Sequence, residues 1–144
     1  MGALCCVNPT ETQRMSVGVL LLTHQAMGGA LIAAAQHVLG KLPQTLQVLE
    51  VDPRADATLA LRNAAASVRE LENGEGVLVL TDLYGATPSN IGEHLRELGL
   101  HVRRVSGLNL PMLLRVLNYR EQTLDELVQT AATGGRGGIF IDHA

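Results

Sequence analysis

Two apolar runs in this 144-residue chain each end abruptly on a residue able to do chemistry. The run Val17–Thr23 stops at His24, and the run Val77–Thr81 stops at Asp82. A neutral imidazole with one free ring nitrogen is a nucleophile. A carboxylate that accepts the other ring N–H fixes the tautomer and stabilises the charge that develops on attack. Asp82 can serve His24 in this way if the two runs are neighbouring strands. Each residue also has a plain reading. A histidine at a strand end is often a capping or hydrogen-bonded residue, and an aspartate often tethers a turn through its own backbone. On these residues alone both readings stand.

Runs this apolar read as strands buried on both faces, as in a parallel sheet. From Ser16 onward, strand and helix patterns alternate. Strands are expected at Val17–Thr23, Leu46–Val51, Val77–Thr81 and His101–Ser106, with a short last strand at Ile139–Ile141. Helices are expected at Gly29–Leu39, from an Asp56 cap to about Glu72, from Pro88 or Ser89 to Leu98, at Pro111–Leu117 and at Thr123–Thr133. The second of these presents Leu59, Ala60, Ala64 and Val68 as an apolar face. Gly134–Gly138 reads as a turn; it lacks the Lys-Ser/Thr ending of a phosphate loop and follows a helix. The order predicts an α/β fold: an open, mostly parallel sheet sandwiched by helices. The terminal strand would lie at an edge or pair with another chain.

In such sheets ligands sit beyond the carboxyl ends of the strands, next to helix N-termini rich in unpaired N–H groups. That edge gathers Thr23–Gly28, Asp52–Asp56, Asp82–Ser89 and Gly107–Pro111. It offers a histidine, an aspartate, small hydroxyls and backbone donors, a combination suited to a phosphoryl group. Within YGATPSN (84–90), Gly85 permits a tight bend, Thr87 caps and Pro88 opens the helix. Asn109 reads equally as a polar contact or a turn residue ahead of Pro111. His37, His94, His101 and His143 look structural, and no pair has zinc-ligand spacing.

Composition narrows the classes further. The chain is 47% hydrophobic but only 2% aromatic, so the core is aliphatic and base stacking is disfavoured. Lys and Arg total 11 against 14 Asp and Glu, a net charge of −3, which offers no field for nucleic acid. The apolar runs are too short to span a bilayer. The two cysteines, Cys5 and Cys6, are adjacent and outside the patterned region, so a reducing cytoplasm is expected. Residues 1–15 carry no periodicity and read as a disordered extension or a misassigned start, leaving 16–144 as a single domain.

The segments GVLLLTHQAMGGAL, VLVLTDLYGATPSN and VSGLNLPMLLRVL, in that order and each at a strand end, resemble the mannose-family IIA component of the bacterial phosphoenolpyruvate-dependent sugar phosphotransferase system. The resemblance implies that His24 carries a phosphoryl group and that Asp82 orients it. It implies phosphoryl binding by Thr23, Gly28, Gly85, Thr87 and Ser89, and partner contacts at Gln25 and Asn109. It further implies a phosphotransferase that takes the group from the carrier protein HPr and passes it to a histidine or cysteine of a IIB protein. The resemblance also implies that no metal, nucleotide or other cofactor takes part and that the membrane is reached only through IIC and IID components. A homodimer exchanging its last strand is also implied, which suits Ile139–Ile141. Gln25 departs from the glycine common after the family's histidine. A regulatory module, its His24 phosphorylation sensed by a partner, is the alternative. A flavodoxin-like small-molecule domain is a third reading.

Overall fold

The structure, a computed structural model, describes residues 16–143. The expectation for residues 1–15 lies outside the described residues. The elements run β1 (Gly18–His24), α1 (Met27–Leu39), β2 (Leu46–Val51), α2 (Ala57–Leu71), β3 (Val77–Thr81), α3 (Thr87–Glu97), β4 (Val102–Ser106), α4 (Leu110–Asn118) and α5 (Leu124–Gly137). The four strands form one parallel sheet in the order β2-β1-β3-β4.

Alternate residues of the two central strands feed two separate cores, as the period of 2 requires. Val19, Leu21, Leu78 and Leu80 pack with α1, α4 and α5 on one face. Leu20, Leu22, Val77 and Val79 pack with α2 and α3 on the other. Helices therefore cover both faces, which is why β1 and β3 read as unbroken apolar runs. Chain order leaves β1 toward β2 on one side and β3 toward β4 on the other. The β1/β3 boundary is thus the point where strand order reverses, the usual ligand position in this architecture.

Local chemistry sets the element ends. The Asp56 carboxylate accepts the Thr58 N–H and starts α2. Thr123 and Glu126 form a reciprocal capping box at the start of α5. Ala60, Ala64 and Val68 face the core from α2, while Leu59 is exposed.

Three expectations change. First, the stretch 134–138 is not a turn, because α5 continues through Gly137. Its glycines let α5 approach α4 closely: a Cβ at Gly134 would lie 2.7 Å from Arg115 Cβ, and one at Gly135 2.8 Å from Met112 Cε. They serve helix packing, a use that local composition does not distinguish from a turn. Second, Ile139–Ile141 forms no strand within the chain; the three residues are 72%, 87% and 89% exposed. Among the described residues of this chain, no strand pairs with this segment. Third, the N-cap of α3 lies one residue before the expected Thr87. The Asn90 N–H bonds the Ala86 carbonyl at 3.0 Å, which makes extended Ala86 the N-cap and Thr87 the first helical residue.

Candidate functional site

β1 and β3 are hydrogen-bonded neighbours, with Leu22 level with Thr81. That register brings the ends of the two runs together across 58 residues of sequence. Asp82 Oδ2 accepts the His24 backbone N–H at 3.0 Å and lies 2.8 Å from His24 Nδ1. The Asp82 side chain is 7% exposed and that of His24 44%. The carboxylate is an interior fixture and the imidazole reaches solvent. Asp82 Oδ1 is buried and has no hydrogen-bond partner among the described residues, so the carboxylate's link to His24 runs through Oδ2 alone.

Burial by itself would raise the Asp82 carboxyl. The hydrogen bond from the His24 backbone, that from its imidazole, the attraction of the ring and the residue's own backbone N–H outweigh burial and lower it. Asp82 is therefore ionised at neutral pH and can only accept. In a neutral ring the proton between the pair therefore sits on Nδ1, leaving the lone pair on Nε2.

The turn from β1 to α1 is tight. Ala26, the N-cap, is left-handed (φ 74°), the one non-glycine residue with positive φ among the described residues. Thr23 is fully buried and its hydroxyl donates to the His24 carbonyl at 2.9 Å. Gly28 is buried where a Cβ would lie 2.7 Å from Val48 Cγ1 and 2.9 Å from Thr23 Oγ1. The first turn of α1 thus rests directly on the sheet. Glu50 of β2 completes the anchorage by accepting the Gly29 N–H at 2.8 Å.

The loop after Asp82 bends at Gly85 (φ 85°), which a side chain would disfavour. The start of α3 has no side-chain cap, and Thr87 is exposed there. Ser89 is fully buried, its hydroxyl 3.3 Å from that of Ser106, which in turn meets the Thr81 hydroxyl at 2.8 Å.

The sequence-predicted residues therefore divide. His24, Asp82, Gly85, Thr87 and exposed Gln25 lie at the carboxyl-terminal edge of the sheet, in or beside the loops that follow β1 and β3. Thr23 and Ser89 are fully buried with their hydroxyls held within the protein, and Gly28 packs closely against the sheet. Asn109 caps α4 by accepting the Met112 N–H at 2.9 Å and donates to the Gly135 carbonyl at 3.1 Å. With its amide engaged at both ends, it clasps α4 to α5. Sequence reading missed Glu50 and Ser106. Their residue types carry no local signature; only pairing with a distant segment gives them a role. Among the described residues, no three His, Cys, Asp or Glu side chains are grouped to hold a metal ion, and no helix is long and apolar enough to cross a membrane.

Comparison with known proteins agrees with this architecture. The family model EIIA-man, described as the PTS system fructose IIA component, matches residues 18–132. The PTS system mannose-specific EIIAB component of Escherichia coli K12 is 28% identical over 127 residues, covering 87% of this chain and 39% of that protein. The chain thus spans well under half the length of the curated relatives it matches. Among solved structures, the mannose/sorbose-specific IIA subunit of the phosphotransferase system from Enterococcus faecalis superposes with a TM-score of 0.80 at 25% identity, over 90% of this chain and 97% of that one. The PTS IIA protein associated with the fucose utilization operon of Streptococcus pneumoniae gives a TM-score of 0.74 at 25% identity, over 88% and 93%.

Proposed function

The chain belongs to the EIIA-man family of phosphotransferase-system IIA components, and from that premise we propose that it is a phosphoryl carrier working through His24. The observation that carries the reading is the 2.8 Å contact of Nδ1 with a buried Asp82 carboxylate while the imidazole itself stays accessible. Nε2 attacks the phosphorus of phosphohistidine on HPr. The new Nε2–P bond forms as the donor's N–P bond breaks, and the bonding pair leaves with the donor imidazole. Asp82 stabilises the positive charge that develops on the His24 ring. Phosphoryl transfer needs alignment and donors aimed at the peripheral oxygens more than covalent chemistry. The Thr87 hydroxyl and the uncapped first turn of α3 are the donors this reading uses. The group then passes to a IIB protein in sugar uptake.

Incubation with phosphoenolpyruvate, enzyme I and HPr should place acid-labile label on His24. Label that persists in His24→Ala would overturn the assignment. The assembly proposed with this function is a homodimer. The open edge of β4 and the exposed Ile139–Ile141 segment support it, since each supplies what the other lacks.

A further inference from the structure

We propose that Arg104 is a positioning residue for transfer, clamping the loop that carries Asp82 onto the edge of the sheet. The inference rests on the reading of His24 as the carrier. Arg104 lies on β4, and its side chain is 17% exposed. Its Nη1 donates to the Ser89 carbonyl at 2.8 Å, and Nη2 lies 3.3 Å from Glu93 Oε2. The guanidinium carbon sits 5.4 Å from the centre of the Tyr84 ring. The stem crosses α3 at Gly92, where a Cβ would lie 3.1 Å from Arg104 Cδ. One side chain therefore joins β4 to Tyr84, two residues after Asp82, and to the first two turns of α3.

The loop needs such an anchor. Leu83 and Tyr84 are 61% and 74% exposed, so little apolar burial holds them. The loop's own bonds, Ala86 N–H to the Leu83 carbonyl and Asn90 Nδ2 to the Gly85 carbonyl, are both long at 3.3 Å. The bond from Arg104 to the Ser89 carbonyl, at 2.8 Å, is shorter than either. A cation at the N-terminal end of α3 opposes the helix dipole, so the arrangement is not one that helix stability selects. Arginine suits the task because its planar fork can hydrogen-bond and stack at once, which a lysine ammonium cannot.

Arg104→Met keeps the stem and removes the fork. At saturating phospho-HPr the transfer rate should fall about tenfold, the effect of a small misplacement at a reacting centre. KM should change less than about twofold, since the docking surface is retained. Arg104→Lys should recover less than half of the loss. A second measurement needs no phosphate: the His24 Nδ1–H proton resonance of the unphosphorylated protein should broaden in Arg104→Met. An unchanged resonance with a saturating rate within about twofold of wild type overturns the clamp. Full recovery of the rate in Arg104→Lys also overturns it. If wild type takes no label on His24 yet the resonance responds to Arg104→Met, the carrier reading fails and the clamp stands.

Discussion

At the scale of single residues, Asp82 decides what His24 can do. Its carboxylate accepts from both the backbone and the ring of His24, so it fixes position and tautomer together. Asp82→Asn keeps the shape but presents an amide that can donate to Nδ1 and reverse the tautomer. Transfer should slow by about 10²-fold or more with the fold retained, measured as the single-turnover rate from phospho-HPr. An unchanged rate would remove Asp82 from the mechanism. The lowered carboxyl also makes a stability prediction. A group whose folded pKa lies below its unfolded value contributes stability above the unfolded value, about 3.9 for Asp. That contribution disappears as pH falls through the folded value. Wild type should therefore lose more of its thermal midpoint than Asp82→Asn between neutral pH and about pH 3. Parallel pH profiles of the two proteins would contradict this. Both residues were readable in the sequence because each terminates an apolar run. Their contact was not, since nothing local reports which strands are neighbours.

At the scale of elements, the turn from β1 to α1 combines a strained residue with a close approach. A left-handed alanine costs roughly 1–2 kcal/mol, against the 0.5–1 kcal/mol of extra chain entropy that glycine brings. Ala26→Gly should therefore be neutral to stabilising by about 1 kcal/mol, raising the midpoint by a few degrees in calorimetry. Gly28→Ala should act oppositely. Its Cβ would meet Val48 and Thr23 at 2.7 and 2.9 Å, both from the packed sheet side of the helix. A loss of about 1–3 kcal/mol is expected, with slower transfer as the start of α1 lifts away. A midpoint equal to wild type would show that the contact relaxes freely. The helices and strands themselves were legible to within one or two residues where periodicity and caps agree, as at Leu46–Val51 and at the Asp56 cap. The exception is the end of α5. Gly134 and Gly135 carry the local signal of a turn, and only the closeness of α4 explains why they remain helical.

At the scale of the whole molecule, a four-stranded sheet ends at β4 with an open edge, while an exposed Ile139–Phe140–Ile141 segment follows the last helix. If the proposed dimer forms through this segment, removing residues 139–144 should leave a monomer in sedimentation while the spectroscopic signature of the α/β core is kept. A truncated chain that still dimerises would exclude the segment as the contact. The sequence by itself determined the class of the fold and marked out the nine regular elements of the described residues, added a last strand that the chain does not form by itself, and singled out the two residues of the site's central pair. Those are local properties: apolar spacing, turn residues and caps act over a few positions and leave their mark there. Tertiary structure alone decided that β1 lies beside β3, that Thr23 and Ser89 face inward, that Asn109 is a clasp, and that Arg104 reaches the loop after Asp82. Each of these depends on a partner distant in the chain, and packing brings such partners together through geometry that no single segment encodes.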